Sequence, residues 1–179
     1  FWAALDAFRT RTGIPIISVE TASAGYRGQA QPFATDAAGI VPDIRAWWPG
    51  GQTGFIHLTD AYFVPKPLTM VSTWDGDEIS IIRCHHHLRA LRLGAHDHAC
   101  GVFESVVDAL RAWGYTVRGS GLYYVIDVGD DADAISARLR SAGLSTRSFS
   151  NGTLALVPPF DLTTEDAARA LNLLESELK

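Results

Sequence analysis

The chain has few basic residues, and this shortage excludes two classes of partner. Among its 179 residues, 15 Lys and Arg stand against 20 Asp and Glu, a formal net charge of -5. Acidic and basic residues are interspersed, so no basic surface for nucleic acid is expected. The sequence also lacks a run of about 18 apolar residues, the length that a membrane-spanning helix needs. We therefore expect neither nucleic acid nor a membrane as a partner.

Cysteine is equally scarce. Cys84 and Cys100 are the only two, which is too few for a disulfide framework. A reducing cytoplasm is the expected compartment, and no signal peptide opens the chain. The sequence begins at Phe1 inside an amphipathic helical pattern that covers residues 1–11. We therefore expect a further segment to precede it.

Hydrophobic residues are abundant, at 47% of the chain, enough for a packed core. The apolar run IPIISVE (14–20) predicts a buried parallel strand, which needs cover on both faces. GFIHLT (54–59) predicts a second strand, and the Pro-, Gly- and Trp-rich stretch between them (40–54) is interpreted as a loop. Two such strands cannot complete a parallel sheet, so the missing strands must come from another segment.

The rest of the sequence predicts a small α+β unit. Periodic apolar residues indicate helices over about 77–93, 102–113, 132–142 and 163–178, the last capped by Thr163 or Thr164. Residues 116–128 predict one glycine-kinked strand and residues 153–159 a strand that two prolines end. The predicted domains are residues 1–100 and 101–179.

Four short motifs occur in order along the chain: VPDI (41–44), STWDG (72–76), VRGSGL (117–122) and LALVPPFDLT (154–163). Together they resemble the pyridoxal-phosphate-dependent aminotransferases of class III, which have the fold-type I architecture. The resemblance implies an α/β fold. It consists of the C-terminal part of the large domain, a mostly parallel sheet with helices, followed by a small α+β C-terminal domain. The family's first half, with its glycine-rich phosphate loop, has no counterpart here.

The same resemblance places a proline where the family has its catalytic lysine. That lysine forms the Schiff base with the cofactor and follows the Pro-Asp-Ile motif by five residues, which corresponds to Pro49. Lys66 and Lys179 are the only lysines, and Lys66, between two prolines, is interpreted as a solvated loop residue. Because proline has no amine, no internal aldimine is expected at this position.

Three residues are predicted to bind the cofactor on the basis of the resemblance. Glu20 corresponds to the Asp that pairs with the pyridine nitrogen, although a one-residue shift puts Val19 there, and the alternative is a carboxylate that caps a loop amide. Ser23 takes the place of the Gln against the cofactor's hydroxyl. Thr73 corresponds to the Thr that reaches the phosphate of the neighbouring subunit's cofactor. The family's substrate-binding Arg corresponds to Ala155.

Histidine and cysteine concentrate in CHHH (84–87) and HDHAC (96–100). Imidazole and thiolate are favoured zinc ligands. However, consecutive helical residues point about 100° apart, so at most two of the three histidines can face one metal. A polar, solvated helix face is therefore the preferred interpretation. The alternative is a two- or three-ligand site that joins Cys84 or His87 to His96 or His98.

The sequence thus favours a non-catalytic chain that completes or stabilises an aminotransferase-type assembly. Its expected partner is another polypeptide that supplies the N-terminal half of the fold, or an active aminotransferase subunit. Pyridoxal phosphate is then held non-covalently, shared with the partner, or lost. Two alternatives remain open: a working split aminotransferase whose partner supplies the lysine, and a ligand-binding module that reuses the cofactor cleft.

The first prediction concerns the missing amine. When the chain is mixed with pyridoxal phosphate and reduced with borohydride, we expect no adduct on the peptide that contains Pro49, because that loop offers no amine. Peptide mass mapping checks this. A reduced adduct on Lys66 together with transaminase activity would overturn the alignment.

Overall fold

A computed structural model of the chain describes residues 1–25, 31–49, 54–67, 69 and 77–179. These residues form two compact units, Phe1–Leu93 and Gly94–Lys179. The division lies before the boundary at residue 100 that the sequence predicts. Gly94, in the left-handed conformation at φ 81°, directly precedes a helix that begins at Ala95, so residues 95–100 belong to the second unit.

The first unit contains three helices and three strands in mixed order. They are α1 (Trp2–Thr12), β1 (Ile17–Glu20), α2 (Ala34–Ala37), β2 (Ile44–Trp47), β3 (Phe55–Leu58) and α3 (Glu78–Arg92). Helix α1 ends at Gly13, whose φ of 70° suits a left-handed cap, as the sequence predicts. Helix α3 is capped by Asp77, whose carboxylate accepts from the Ser80 N–H.

The three strands form one sheet in the order β1-β2-β3, with β1 parallel and β3 antiparallel to β2. Strand β2 lies inside the stretch that the sequence predicts as a loop, so that prediction is wrong for Ile44–Trp47. Turn residues do flank the strand, but the four residues between them pair with a neighbour on each side. Tertiary pairing therefore overrides the local turn chemistry.

The two faces of this sheet differ sharply. The register places Ile17 and Val19 on one face together with Ile56, since alternate residues share a face. These three side chains are 59%, 67% and 49% exposed. Within the described residues, one apolar face of the sheet is therefore open, and its cover by another segment, which the sequence leads us to expect, stays a prediction. We call this surface the open sheet face.

The opposite face of the sheet covers the core of the first unit. Phe33 and Trp47 meet edge to face at 5.2 Å between ring centroids, and Phe55 stacks on Trp47 at 5.0 Å. Ala24 and Cys84 complete the buried cluster. Residues from β2, β3, the loop after β1 and α3 thus form one small core on a single side of the sheet.

The second unit is a two-layer α+β fold. Its elements are α4 (Ala95–Ala112), β4 (Val117–Ser120), β5 (Tyr123–Asp127), α5 (Ala132–Ser141), β6 (Arg147–Phe149), β7 (Thr153–Leu156) and α6 (Thr164–Leu178). The strands form an antiparallel sheet in the order β4-β5-β7-β6. Helix α4 packs on α6, and Thr163 caps α6 by accepting from the Asp166 N–H, as predicted. Among the described residues, no helix combines the length and the apolar character that crossing a bilayer would require.

The single kinked strand predicted over 116–128 is a hairpin instead. Strands β4 and β5 pair antiparallel, and the turn between them contains Gly121 at φ 62°. Gly119, inside β4, adopts a φ of 144°, where a side chain is strained. A Cβ there would lie 2.2 Å from the carbonyl oxygen of Tyr123, a backbone atom that the pairing holds in place.

We therefore predict that Gly119→Ala destabilises the chain much more than Gly114→Ala. Gly114 also has a left-handed φ, of 93°, but a Cβ added there would meet nothing within 4 Å. Each variant carries backbone strain of about 1–3 kcal/mol, and only the first adds overlap with the hairpin. Urea unfolding should show a difference of at least about 2 kcal/mol. Equal loss of stability would contradict the close approach.

Candidate functional site

The carboxylate of Glu20 lies buried at the end of β1, with 2% of the residue exposed. Among the described residues, five hydrogen bonds converge on its two oxygens. Oε2 accepts from the backbone N–H of Ala34 at 2.6 Å and from Ser23 Oγ at 3.3 Å. Oε1 accepts from Ser18 Oγ at 3.2 Å and from the backbone N–H and the hydroxyl of Thr35, at 3.3 and 2.5 Å.

This arrangement follows from the start of helix α2. The first N–H groups of a helix have no partners within the helix. Residues 34 and 35 open α2, and its N-cap position is Phe33, which has no side-chain acceptor. The Glu20 carboxylate supplies the acceptors from the neighbouring strand, and its charge also suits the positive end of the helix dipole. Glu20 therefore ties β1 to α2.

Arg45 brings a positive charge to the same place. Its Nε lies 3.6 Å from Glu20 Oε1, and its Nη2 donates to Thr35 Oγ1 at 2.7 Å and to Asp36 Oδ1 at 2.5 Å. The guanidinium also stacks 4.1 Å above the centre of the Phe33 ring. Its side chain is only 12% exposed. The Arg45 guanidinium thus forms ion pairs with two carboxylates, those of Glu20 and Asp36, at the edge of the core.

The described residues do not fit a pyridinium ring at Glu20. A carboxylate offers about four lone-pair sites, and the chain's own donors already occupy them. Ser23, predicted to face the cofactor's hydroxyl, donates to Glu20 instead. Val19, the alternative in the shifted alignment, is exposed and carries no charge. Thr73 and the rest of the motif at 72–76 lie outside the described residues.

The two positions that correspond to catalytic groups of the family belong to different units. Pro49 follows the end of β2 and is partly buried beside the exposed Trp48. Ala155 lies in the middle of β7 and is buried. Lys66 is exposed, and its carbonyl accepts from the hydroxyl of Thr69 at 2.8 Å. Neither Pro49 nor Ala155 carries a group that can form a covalent bond or an ion pair.

The histidines and cysteines are not one polar surface, contrary to the preferred interpretation of the sequence. His85 and His86 are exposed on α3, but Cys84 is buried in the core of the first unit. His87 is half-buried beside Gly25, and burial lowers the pKa of its imidazole. His96, at the start of α4, is buried with 1% exposure. Among the residues with described positions, no three His, Cys, Asp or Glu side chains converge to hold a metal ion.

His96 sits in a polar pocket of the second unit. Its Nε2 lies 3.5 Å from Cys100 Sγ, its Nδ1 lies 3.4 Å from Asp97 Oδ1, and Phe160 meets its ring edge to face. Burial, with the charges of Asp97 and Glu104, raises the pKa of Cys100 to about 11. Cys100 is therefore a protonated thiol at neutral pH, which is a poor nucleophile and a poor metal ligand.

This difference in burial yields a paired prediction. His96→Ala removes a buried ring and should lower the stability of the chain by about 1–3 kcal/mol, whereas His86→Ala, on the exposed face, should change it by less than about 0.5 kcal/mol. Thermal melting measures both. Zinc content, read by atomic absorption, should be the same in both variants and in the parent. Stoichiometric zinc that is lost on either substitution would contradict the packing role.

The second unit also contains a cavity of about 380 Å³. It lies between α4, α6 and the segments after α5 and β7, and most of its walls are aliphatic or aromatic. The polar side chains at this cavity are those of Ser145, Asp166 and Arg169. No sequence pattern predicts the cavity, because it arises from how the helices pack. It lies in the unit that does not contain Glu20, Ser23 or Pro49.

No protein-family model and no curated protein sequence matches the chain. Solved structures with a similar fold do exist. Ornithine delta-aminotransferase of Plasmodium falciparum is 21% identical with a TM-score of 0.80, over 99% of this chain and 50% of that protein. An amine transaminase from an uncultivated Pseudomonas species, in its pyridoxal-phosphate-bound form, is 20% identical with a TM-score of 0.81, over 99% and 47%. A transaminase solved with L-Ala is 17% identical with a TM-score of 0.82, over 99% and 49%.

The chain therefore has the α/β fold of the C-terminal part of a fold-type I, pyridoxal-phosphate-dependent aminotransferase, as the sequence predicts. It spans about half the length of the solved structures that it matches. At 17% to 21% identity, the likeness establishes the fold alone.

Proposed function

We propose that this chain is a non-catalytic half or subunit that completes or stabilises an aminotransferase-type assembly with another polypeptide. The observation that carries the proposal is the open sheet face. Ile17, Val19 and Ile56 present their side chains to water on a sheet whose other side is already packed. Parallel pairing of the kind that joins β1 to β2 normally occurs in sheets that are covered on both faces, so we expect a second layer on this surface.

The free energy gained by covering the open sheet face is large for a small unit. Burying a Val or Ile side chain contributes roughly 1.5 to 3 kcal/mol, so three of them approach the net stability of a domain, about 5 to 15 kcal/mol. The outer edge of β1 adds to this need, because β1 is the terminal strand of its sheet and pairs only with β2 among the described residues. An unpaired edge is a template for another strand. A polypeptide that supplies the first half of the fold meets both needs.

The absence of an amine supports the non-catalytic part of the proposal. Pyridoxal phosphate, when bound, supplies an electron sink for amino-group transfer, and the protein supplies a Schiff-base lysine. With Pro49 at that position, this chain brings no such lysine. With Ala155 in place of the substrate Arg, it brings no cation there for a substrate carboxylate either.

The cofactor contacts predicted at Glu20, Ser23 and Thr73 remain predictions. Of these, Glu20 and Ser23 are engaged with each other, and Glu20 also with α2. We infer that any pyridoxal phosphate in the assembly is held chiefly by the partner. A working split aminotransferase differs from this proposal in one respect: its partner brings the lysine into a site that this chain completes.

Separate expression of the two units tests the proposal. Residues 94–179 should fold as a monomer with a single cooperative transition, because their sheet is covered by their own helices. Residues 1–93 should aggregate when produced alone, because the open sheet face is uncovered. Size-exclusion chromatography and calorimetry report both outcomes. A stable, cooperatively melting monomer of residues 1–93 would contradict the proposal.

A matched pair of variants in the full chain separates the open sheet face from apolar exposure in general. Ile17→Thr with Val19→Thr keeps the strand-forming shape and makes the surface polar. It should reduce aggregation and abolish capture of the partner. Val157→Thr changes another exposed apolar residue, in the second unit. It should leave both aggregation and partner capture unchanged. Partner capture that survives the double substitution would place the interface elsewhere.

A further inference from the structure

We propose that Arg45 is an internal counter-ion for Glu20, so that this carboxylate is satisfied within the chain and is not a pyridoxal phosphate contact. Both residues lie in the first unit, and their pairing does not depend on the partner.

The register of the sheet brings the two residues together. Ser18 pairs with Arg45 and Glu20 pairs with Trp47, so Arg45 lies diagonally from Glu20 on the same face. Neighbouring strands lie about 4.8 Å apart and rise about 3.3 Å per residue, so residues two positions out of register are roughly 8 Å apart at their backbones, a gap that a long side chain spans. The guanidinium accordingly comes within ion-pair distance of Glu20 Oε1, with Nε at 3.6 Å. This separation is too long for a hydrogen bond, and Nε has no hydrogen-bond partner among the described residues, so the attraction between the two groups is that of their charges.

Several contacts fix the position of the guanidinium. Nη2 is held by Thr35 Oγ1 and Asp36 Oδ1, and the planar group lies over the Phe33 ring. Thr35 also donates its hydroxyl proton to Glu20, so one side chain links the cation to the anion. Because these contacts already fix the Arg45 side chain, facing the Glu20 carboxylate costs little additional conformational entropy. The ion pair is therefore more stable than one formed by a flexible side chain.

Burial makes a compensating charge necessary. The Glu20 side chain is 3% exposed, and burying a charged group costs free energy unless the group is hydrogen-bonded and paired with an opposite charge. The five hydrogen bonds to Glu20 come from neutral donors, and Arg45 adds the charge. In a buried pair, removal of one partner leaves the other uncompensated, and this is strongly destabilising.

The alignment with Val19 leads to the same result. If Val19 rather than Glu20 stands where the family has its acid, the residue at the cofactor's nitrogen has no charge. Glu20 is then a structural carboxylate whose role is entirely internal. In both alignments, the end of β1 offers no free acid to a pyridinium.

A double-mutant cycle on the full chain tests the ion pair. Arg45→Met keeps the aliphatic stem and removes the charge, and it should lower the melting temperature markedly. Glu20→Gln combined with Arg45→Met should recover part of that loss, because the buried charge is gone. Arg118→Met is the control, since Arg118 pairs with Asp127 on the exposed surface and its loss should shift the melting temperature little. Arg45→Met that melts like the parent would overturn the proposal.

Ligand binding provides a second readout that does not require the Arg45 variant to fold. Pyridoxamine phosphate is the probe, because it has no aldehyde and forms no Schiff base with Lys66 or Lys179. Equilibrium dialysis should give the same bound fraction for the parent chain and Glu20→Gln, whether alone or in the purified assembly. Binding that Glu20→Gln weakens tenfold or more would show that Glu20 is a cofactor contact and would overturn the proposal. Any affinity of the partner for pyridoxamine phosphate contributes equally to the parent and to Glu20→Gln. The comparison therefore tests Glu20 even if the proposed function of the chain is wrong.

Discussion

A sheet with apolar side chains on both faces is stable only when both faces are covered, and this constraint governs the first unit. On one face of β1-β2-β3, Trp47 and Phe55 pack against Phe33 and against Cys84 in the middle of α3. Ile17, Val19 and Ile56 leave the other face in water. The second unit has no such deficit, because its antiparallel sheet is packed by its own helices. The chain thus contains one α+β unit whose sheet packs against its own helices and one unit whose sheet is covered on a single face, and it spans about half of the matched aminotransferases.

Polar and apolar groups are distributed unusually over these two faces. Charged groups lie on the packed side, where Glu20 holds the first turn of α2 and Arg45 compensates its charge. The apolar side chains that point away from the core form the open sheet face, the surface that we propose another polypeptide covers.

Much of the fold is predictable from local pattern. Periodic apolar residues and glycine stops give α1, α3, α5 and α6 to within a few residues, and the Thr163 cap follows from the chemistry of a helix start. Strand β2 is missed because its four residues are framed by turn residues, and only pairing with both neighbours makes it a strand. The hairpin at Gly121 and the burial of His96 are missed for a similar reason. Whether a polar or turn residue faces water depends on contacts with residues distant in sequence. The Glu20–Arg45 pair likewise cannot be predicted until β1 and β2 are placed in register.

The central claim is that the open sheet face is covered by further polypeptide. Native mass spectrometry of the species that contains this sequence, purified from its source without denaturation, tests that claim most directly. We predict a mass well above the 19.4 kDa of these residues, with the additional polypeptide supplying the rest of an aminotransferase fold. Hydrogen exchange on the same sample should show the amides of Ile17–Glu20 protected. A stable monomer of 19.4 kDa with freely exchanging β1 amides would contradict the claim.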